Sequence, residues 1–304
     1  RNCVIVTDCE DSGEITASIS GAEGMFMLGT RFVEHPASRA RLGEAGETFA
    51  RTLTGALRAV RTSIVTTLVQ VDTTMRNLLG NLQTYAQTPG IRDLAGLYKG
   101  RPAIVVSAGP SQRRNVELLR DPAVRERFVI IAVQTVLKSL LAQGIKPHFV
   151  TALDHASISR RFYEGLSARD VEGITLIVEA KASPAILAAW PGEMRCPAEP
   201  ILDSILGEHE DRGSLKPGAT VAHLGYYLAR HLGCDPVALI GQDLGFTDGQ
   251  YYSAGAAIHQ VWSGELNEFN TLEMLEWQRL VRSRSMLHKR TDHLGRPCYT
   301  DEQM

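Results

Sequence analysis

Cysteine is scarce in this chain. The five cysteines among 304 residues are Cys3, Cys9, Cys196, Cys234 and Cys298. They are odd in number, scattered and never spaced C-x-x-C. Neither a disulfide scaffold nor a thiolate zinc site is therefore expected, and a reducing compartment suits them. An excess of one charge is also missing. The formal net charge is −2, which provides no global basic field for extended nucleic-acid binding. No apolar run approaches the roughly 20 residues of a membrane span, and no secretory leader pattern is seen. A G-x-S-x-G elbow is absent, which removes the usual hydrolase reading. Fixed-period repeats, low-complexity tracts and His-rich metal spacing are absent as well. Trp190, Trp262 and Trp277 lie too far apart for an aromatic ladder. The chain opens at Arg1 within a strand-like pattern and ends at Met304 in mid-pattern, so it reads as a piece of a longer protein.

What remains is an ordinary globular balance, 44% hydrophobic and 22% charged, able to bury a substantial core. Four parts are expected. Residues 1–34 end a β-rich domain, with short strands at 3–7, 15–19 and 24–32 between Asp/Ser/Gly turns. Residues 35–100 are a helical bridging segment. There Ile64, Leu68, Val71, Met75, Leu78, Leu79 and Leu82 form one apolar stripe, opposite Gln70, Asp72, Arg76 and Asn77. Thr88-Pro89-Gly90 then separates a short second helix carrying Ile91, Leu94 and Leu97.

Residues 101–260 alternate between strand and helix. The runs AIVVSA (103–108), FVIIAV (128–133), FVTALD (149–154), ITLIVEA (174–180) and PVALIGQD (236–243) are nearly continuous apolar strands. Helical stretches lie between them, among them ISRRFYEGLSARD and VAHLGYYLARHLG. That alternation predicts an α/β, Rossmann-like, doubly wound, mostly parallel sheet covered on both faces. Residues 261–304 begin a C-terminal helical region, with TLEMLEWQRLVRSR as an amphipathic helix before a turn and strand in GRPCYTDEQM.

In such a sheet ligands bind beyond the carboxyl ends of the strands. The loop Ser107-Ala108-Gly109-Pro110-Ser111 is the first candidate. Gly109 admits close backbone approach, Pro110 suits a first helical turn, and free N–H groups at a helix start favour an anion. The loop is neither G-x-G-x-x-G nor G-x-x-x-x-G-K-[ST], and without the lysine it lacks the geometry for a γ-phosphate. A second small-residue loop, Gly218-Ala219-Thr220, precedes a helix that has Thr220 as N-cap and His223 in its first turn. His223 is a candidate base because histidine titrates near neutrality. Asp154 and the pair Gln242-Asp243 end apolar strands. A buried Gln-Asp pair is costly unless it is used. Residues 248–255 form a Gly-rich segment that reads as a lid, and its Tyr251 and Tyr252 are candidate donors to a leaving phosphate.

Taken together, IVVSAGPS, IIAVQTVLKSLLAQGIKPHFVTALD, GATVAHLGYYLARHLGCDPVALIGQDLGFTDG and YTDEQM resemble the motility-associated factor (Maf) glycosyltransferases. That group is related to 6-hydroxymethylpterin pyrophosphokinase-like proteins. The resemblance covers roughly residues 60–304. It implies a central domain similar to bacterial sialyltransferases, and transfer of a nonulosonic acid, pseudaminic or legionaminic, from its CMP-activated form. The acceptor would be Ser or Thr of flagellin in the cytoplasm, with no cofactor required, no nucleic acid and no membrane. Carried over, Gly109, Pro110 and Ser111 would line the CMP site, with Ser107, Asn115 and Gly218 beside them. Asp154, Thr220, Gln242 and Asp243 would line the cleft. Asp243 and Gln242, with His223 added from its own place in the first helical turn, make up the candidate catalytic set. The sequence departs from the family at GFTDGQYYSAG, where Ala is expected after the Leu of G-Q-D-L. That difference bears on sugar or acceptor choice.

The chemistry is coherent, because CMP is already a good leaving group. The step needs a base for the hydroxyl and donors for the departing phosphate. Arg113 or Arg114 would meet the sugar's carboxylate in bidentate fashion. Two rivals stand beside this reading. A pterin-type pyrophosphokinase would need ATP and Mg²⁺, with Asp154 and Asp243 as the metal carboxylates. A non-catalytic flagellin-binding export factor would bind neither nucleotide.

Overall fold

The structure is a computed structural model that describes residues 33, 35–207, 211–216, 218, 220–246, 249–253, 256–282 and 287–300. The strands expected at 3–7, 15–19 and 24–32 lie outside those residues. Two compact units divide the chain, Arg1–Thr73 and Thr74–Met304. Helix α1, Pro36–Gln87, is continuous except at Gly43, which leaves helical geometry at φ 48 and ψ −124.

The second unit is built on a six-stranded sheet. Its strands are β1 (Ala103–Val106), β2 (Val129–Val133), β3 (Phe149–Ala152), β4 (Thr175–Val178), β5 (Met194–Arg195) and β6 (Val237–Ile240). They lie in the order β5-β4-β3-β2-β1-β6, and every pair is parallel. The expected α/β parallel sheet is therefore present. Strand alternation separates its two faces. Ala103, Val105, Val129, Ile131, Phe149 and Ile177 belong to one core, with Leu228, Ala229 and Leu232. Ile104, Val106, Ile130, Ala132, Val150 and Val178 belong to the other, with Leu78, Tyr85, Leu119, Leu140 and Ile186. Parallel strands covered on both faces have no polar side to show, which is why the runs are continuously apolar. β6 is the exception. It is an edge strand, and Leu239 is 51% exposed.

The remaining helices are α2 (Pro122–Arg127), α3 (Leu137–Ala142), α4 (Pro184–Ala189), α5 (Pro200–Leu206), α6 (Val221–His231), α7 (Ala257–Trp262) and α8 (Leu272–Arg282). Several of them are shorter than their sequence stretches predict. Pro122 splits the stretch VELLRDPAVRERF into a 3-10 turn, Val116–Arg120, and α2, which Asp121 caps. The stretch ISRRFYEGLSARD forms only the 3-10 turn Ser157–Phe162. The second helix expected after Gly90 is likewise a 3-10 turn, Arg92–Leu94, with Leu97 exposed. A hairpin of β7 (His288–Thr291) and β8 (Pro297–Thr300) follows α8, and β8 supplies the strand expected in GRPCYT.

The stripe on α1 also needs correction. Leu78 is buried, while Val71 and Leu79 are exposed, and Asn77, assigned to the polar face, is buried. Its amide donates to His155 O at 3.1 Å and Lys181 O at 3.0 Å. Asn81 does the same for Ala180 O and Ala182 O, both at 2.7 Å. These loop carbonyls need donors once buried, and two asparagines one helical turn apart supply them.

The two faces give contrasting stability predictions. Leu228→Ala, at a fully buried position, is expected to cost about 2–5 kcal/mol in urea unfolding. Leu239→Ala on the open edge is expected to cost under about 0.5 kcal/mol.

Candidate functional site at the carboxyl edge of the sheet

Strands β1 to β5 progress in one direction, and β6 then returns to the other side of β1. The strand order reverses between β1 and β6, and such a switch point opens a crevice at the carboxyl ends. The loop 107–111 leaves β1 at that point, and Gln242-Asp243 leaves β6 beside it. The two loops are held edge to edge. Ser107 N donates to Ile240 O at 2.8 Å, Gly109 N to Gly241 O at 2.9 Å, and Ser107 Oγ to Gln242 Oε1 at 3.2 Å.

Asp243 closes the seam. Its Oδ2 accepts the Ser111 N–H at 2.9 Å, at the start of the 3-10 turn Pro110–Arg114. The anion favoured at that turn start is thus the protein's own carboxylate. A Cβ on Gly109 would lie 2.1 Å from Asp243 Oδ2 and 2.6 Å from Gly241 O, so no side chain fits there. Gly241 sits at φ 71, and its Cβ would lie 2.3 Å from Ser107 O. The glycine of the G-P-S loop and the glycine of G-Q-D-L are one packing constraint seen from both sides.

A cleft of about 650 Å³ opens beside this seam. Pro110, Ser111, Arg114, Asn115 and residues 239–245 line one side, and Arg290, His293 and Arg296 of the hairpin line the other. The hairpin is attached through Phe246 N to Tyr299 O at 2.6 Å and Thr300 Oγ1 to Leu244 O at 2.9 Å. Arg296 is held by Asp292 at 2.7 Å. Two buried polar atoms near the corner lack a hydrogen-bond partner among the described residues: Gln112 Nε2 and Ser253 Oγ. Such atoms are uncommon in folded proteins. Ser253 borders the corner directly, since its N–H donates to Ala108 O at 2.7 Å.

Asp154 belongs to a second cluster, past β3. Its Oδ2 accepts from Gln134 Nε2 and, at 2.9 Å, from Ser159 Oγ. Gln134 Oε1 in turn accepts from the buried Tyr163 hydroxyl at 3.0 Å. Burial outweighs these bonds and pushes the Asp154 carboxyl above the usual carboxylate value. Burial, followed by the charges of Tyr251, Asp154 and Glu276, also raises the Tyr252 hydroxyl. Across the sheet the ends of β3 and β6 are three strand spacings apart, roughly 14 Å. Asp154 and Asp243 therefore do not form one carboxylate pair. Among the described residues no three His, Cys, Asp or Glu side chains cluster as metal ligands would.

Thr220 caps α6 as expected, with its hydroxyl 2.8 Å from His223 Nδ1. Thr151 Oγ1 of β3 donates to Val221 O at 3.2 Å, which sets the start of α6 over the end of β3. His223, Thr220 and Gly218 are exposed. Of the lid segment 248–255, residues 249–253 are described, and they are pinned. Ser253 is tied to Ala108, and Tyr251 N donates to Glu276 Oε2 at 2.7 Å. α7 then begins at Ala257, just past that segment. His259 Nε2 also meets Glu276, at 2.8 Å. That pair escaped the sequence reading, because its members sit on two different helices with no motif spacing.

The family model described as 6-hydroxymethylpterin diphosphokinase MptE-like matches residues 76–249. A solved structure, the Maf glycosyltransferase from Magnetospirillum magneticum AMB-1, has a similar fold at TM-score 0.54 and 19% identity. The similarity covers 96% of this chain and 41% of that one, so the chain spans about two fifths of that protein's length. No curated protein sequence matches the chain. The family match and the shared fold agree with the Maf resemblance seen in the motifs.

Two predictions follow from the seam and the buried carboxyl. Gly109→Ala is expected to destabilise by about 1–3 kcal/mol through overpacking, and Asp243→Ala by about 1 kcal/mol through loss of a cap, both read by urea titration. Asp154 binds its proton more tightly folded than unfolded. Its contribution to stability therefore falls as pH rises above the ordinary carboxylate value. The stability of Asp154→Asn measured from pH 4 upward should lack that decline.

Proposed function

Because the chain belongs to the 6-hydroxymethylpterin diphosphokinase MptE-like family, we propose that it is the nucleotide-binding region of a Maf-type glycosyltransferase. It moves a nonulosonic acid, pseudaminic or legionaminic, from its CMP-activated donor to Ser or Thr of flagellin in the cytoplasm, without a further cofactor. The observation that carries the reading is the corner at the β1/β6 switch point. There the Ser107–Ser111 loop packs on Gln242-Asp243 beside an open cleft. The nucleotide lies in the cleft along this corner, beside Ser111 and Asn115. The donor carries both a phosphate and a carboxylate, and Arg114 with the hairpin's Arg290 offers guanidinium groups of the matching charge. Tyr252, tied to the corner through its neighbour Ser253, is a donor for the phosphate oxygen as negative charge develops on it. Its raised pKa keeps the hydroxyl protonated for that role. Among the described residues no helix is long and apolar enough to cross a membrane.

The family description also supports a second reading, diphosphate transfer from ATP. It would rely on a metal held chiefly by the nucleotide's own phosphates together with a single carboxylate.

Calorimetric titration separates the two. The proposed reading predicts CMP binding that is indifferent to Mg²⁺ and is weakened in Gly109→Ala. ATP binding that appears only with Mg²⁺, with no response to CMP, would instead favour the diphosphokinase. Binding of neither nucleotide would leave the flagellin-binding alternative.

A further inference from the structure

We propose that His259 and Glu276 are the proton-accepting pair for the acceptor hydroxyl in the transfer described above, a reading on which this inference rests. Glu276 is almost wholly buried, with its side chain 4% exposed. A carboxylate is kept there only if its charge is met. Its two oxygens are met separately: Oε2 accepts the Tyr251 N–H at 2.7 Å, and Oε1 faces His259 Nε2 at 2.8 Å. An ionised carboxylate only accepts hydrogen bonds, so His259 Nε2 carries the hydrogen. In the neutral ring the lone pair is then on Nδ1.

His259 Nδ1 is buried and has no hydrogen-bond partner among the described residues. An imidazole oriented through one nitrogen and bare at the other is the arrangement of a general base. The ring is further fixed against Trp262, with centroids 5.4 Å apart.

The surroundings suit an acceptor. A cavity of about 660 Å³ borders the pair, lined by Gln250, Tyr252, Thr271, Met274 and Trp277 among others. Tyr252, in that lining, precedes Ser253, whose N–H donates to Ala108 O at the nucleotide corner. α7 packs on the turns Gln134–Val136 and Ser157–Phe162, so His259 is carried on a helix seated at the ends of β2 and β3.

The step balances. The acceptor oxygen forms a bond to the anomeric carbon of the CMP-activated sugar. The bond from that carbon to the phosphate oxygen breaks, and CMP departs with the electron pair. The hydroxyl proton passes to His259 Nδ1, and Glu276 stabilises the resulting imidazolium. His223 differs. Its Nδ1 is occupied by Thr220 and its ring is exposed.

The test uses the chain with CMP-pseudaminic or CMP-legionaminic acid and a flagellin acceptor. His259→Ala and His259→Gln should lower kcat about a hundredfold or more, with CMP affinity kept within about twofold as the check on folding. Glu276→Gln should lower kcat less and leave donor KM nearly unchanged, since it acts only through the ring. Nitrogen NMR of the imidazole supplies a readout independent of turnover: the Nε2–H tautomer in the wild type, lost in Glu276→Gln. Wild-type kcat in both His259 variants would overturn the proposal. So would an equal loss in CMP affinity, or loss of transfer confined to His223→Ala. If the wild type transfers no sugar from either donor, the transferase reading fails and the acceptor role falls with it. The tautomer then reports separately whether the pair is built as described.

Discussion

The Asp243 carboxylate meeting the Ser111 N–H across the β1–β6 seam is the contact on which the candidate site depends. It joins the loop after the first strand to the loop after the last, and it does so at the point where strand order reverses. Glycine at 109 and 241 allows the approach, and the backbone bond from Gly109 to Gly241 fixes it. The cleft, the hairpin wall and the Tyr252 segment are then positioned by short attachments to those two loops: Tyr299 to Phe246, and Ser253 to Ala108.

Three carboxylates around this edge meet three different fates. Asp243 is spent as a cap. Asp154 is buried, hydrogen-bonded to Gln134 and Ser159, and pushed toward its neutral form. Glu276 is buried against a backbone donor and an imidazole. Environment separates their roles although the side chains are nearly the same, the usual route by which one site holds both structural and proton-moving acids.

Much of this was legible in the sequence. Five of the six strands of the sheet were readable: β1 to β4 because a parallel strand buried on both faces leaves an unbroken apolar run, and the edge strand β6 because its own run is apolar although it is exposed. β5, only Met194 and Arg195, is too short to leave one. Helices were overextended wherever apolar spacing continued past a proline or into 3-10 turns, as at Pro122 and after Ile91. Asn77 was misassigned because composition cannot reveal that loop carbonyls will be buried against a helix. The corner Ser107–Ser111 and Gln242-Asp243 were found as strand ends, though not their mutual contact, which exists only once β6 returns beside β1. His259 and Glu276 carried no local signal at all, since their meeting is purely tertiary.

The central claim is that a cytidine nucleotide occupies the β1/β6 corner. A crystal structure of the chain with CMP tests it most directly. The account predicts CMP in the cleft beside Ser111, with its phosphate toward Arg114 and Arg290 and the Asp243–Ser111 bond intact. CMP seated away from that corner, or held only by the β7–β8 hairpin, would contradict it.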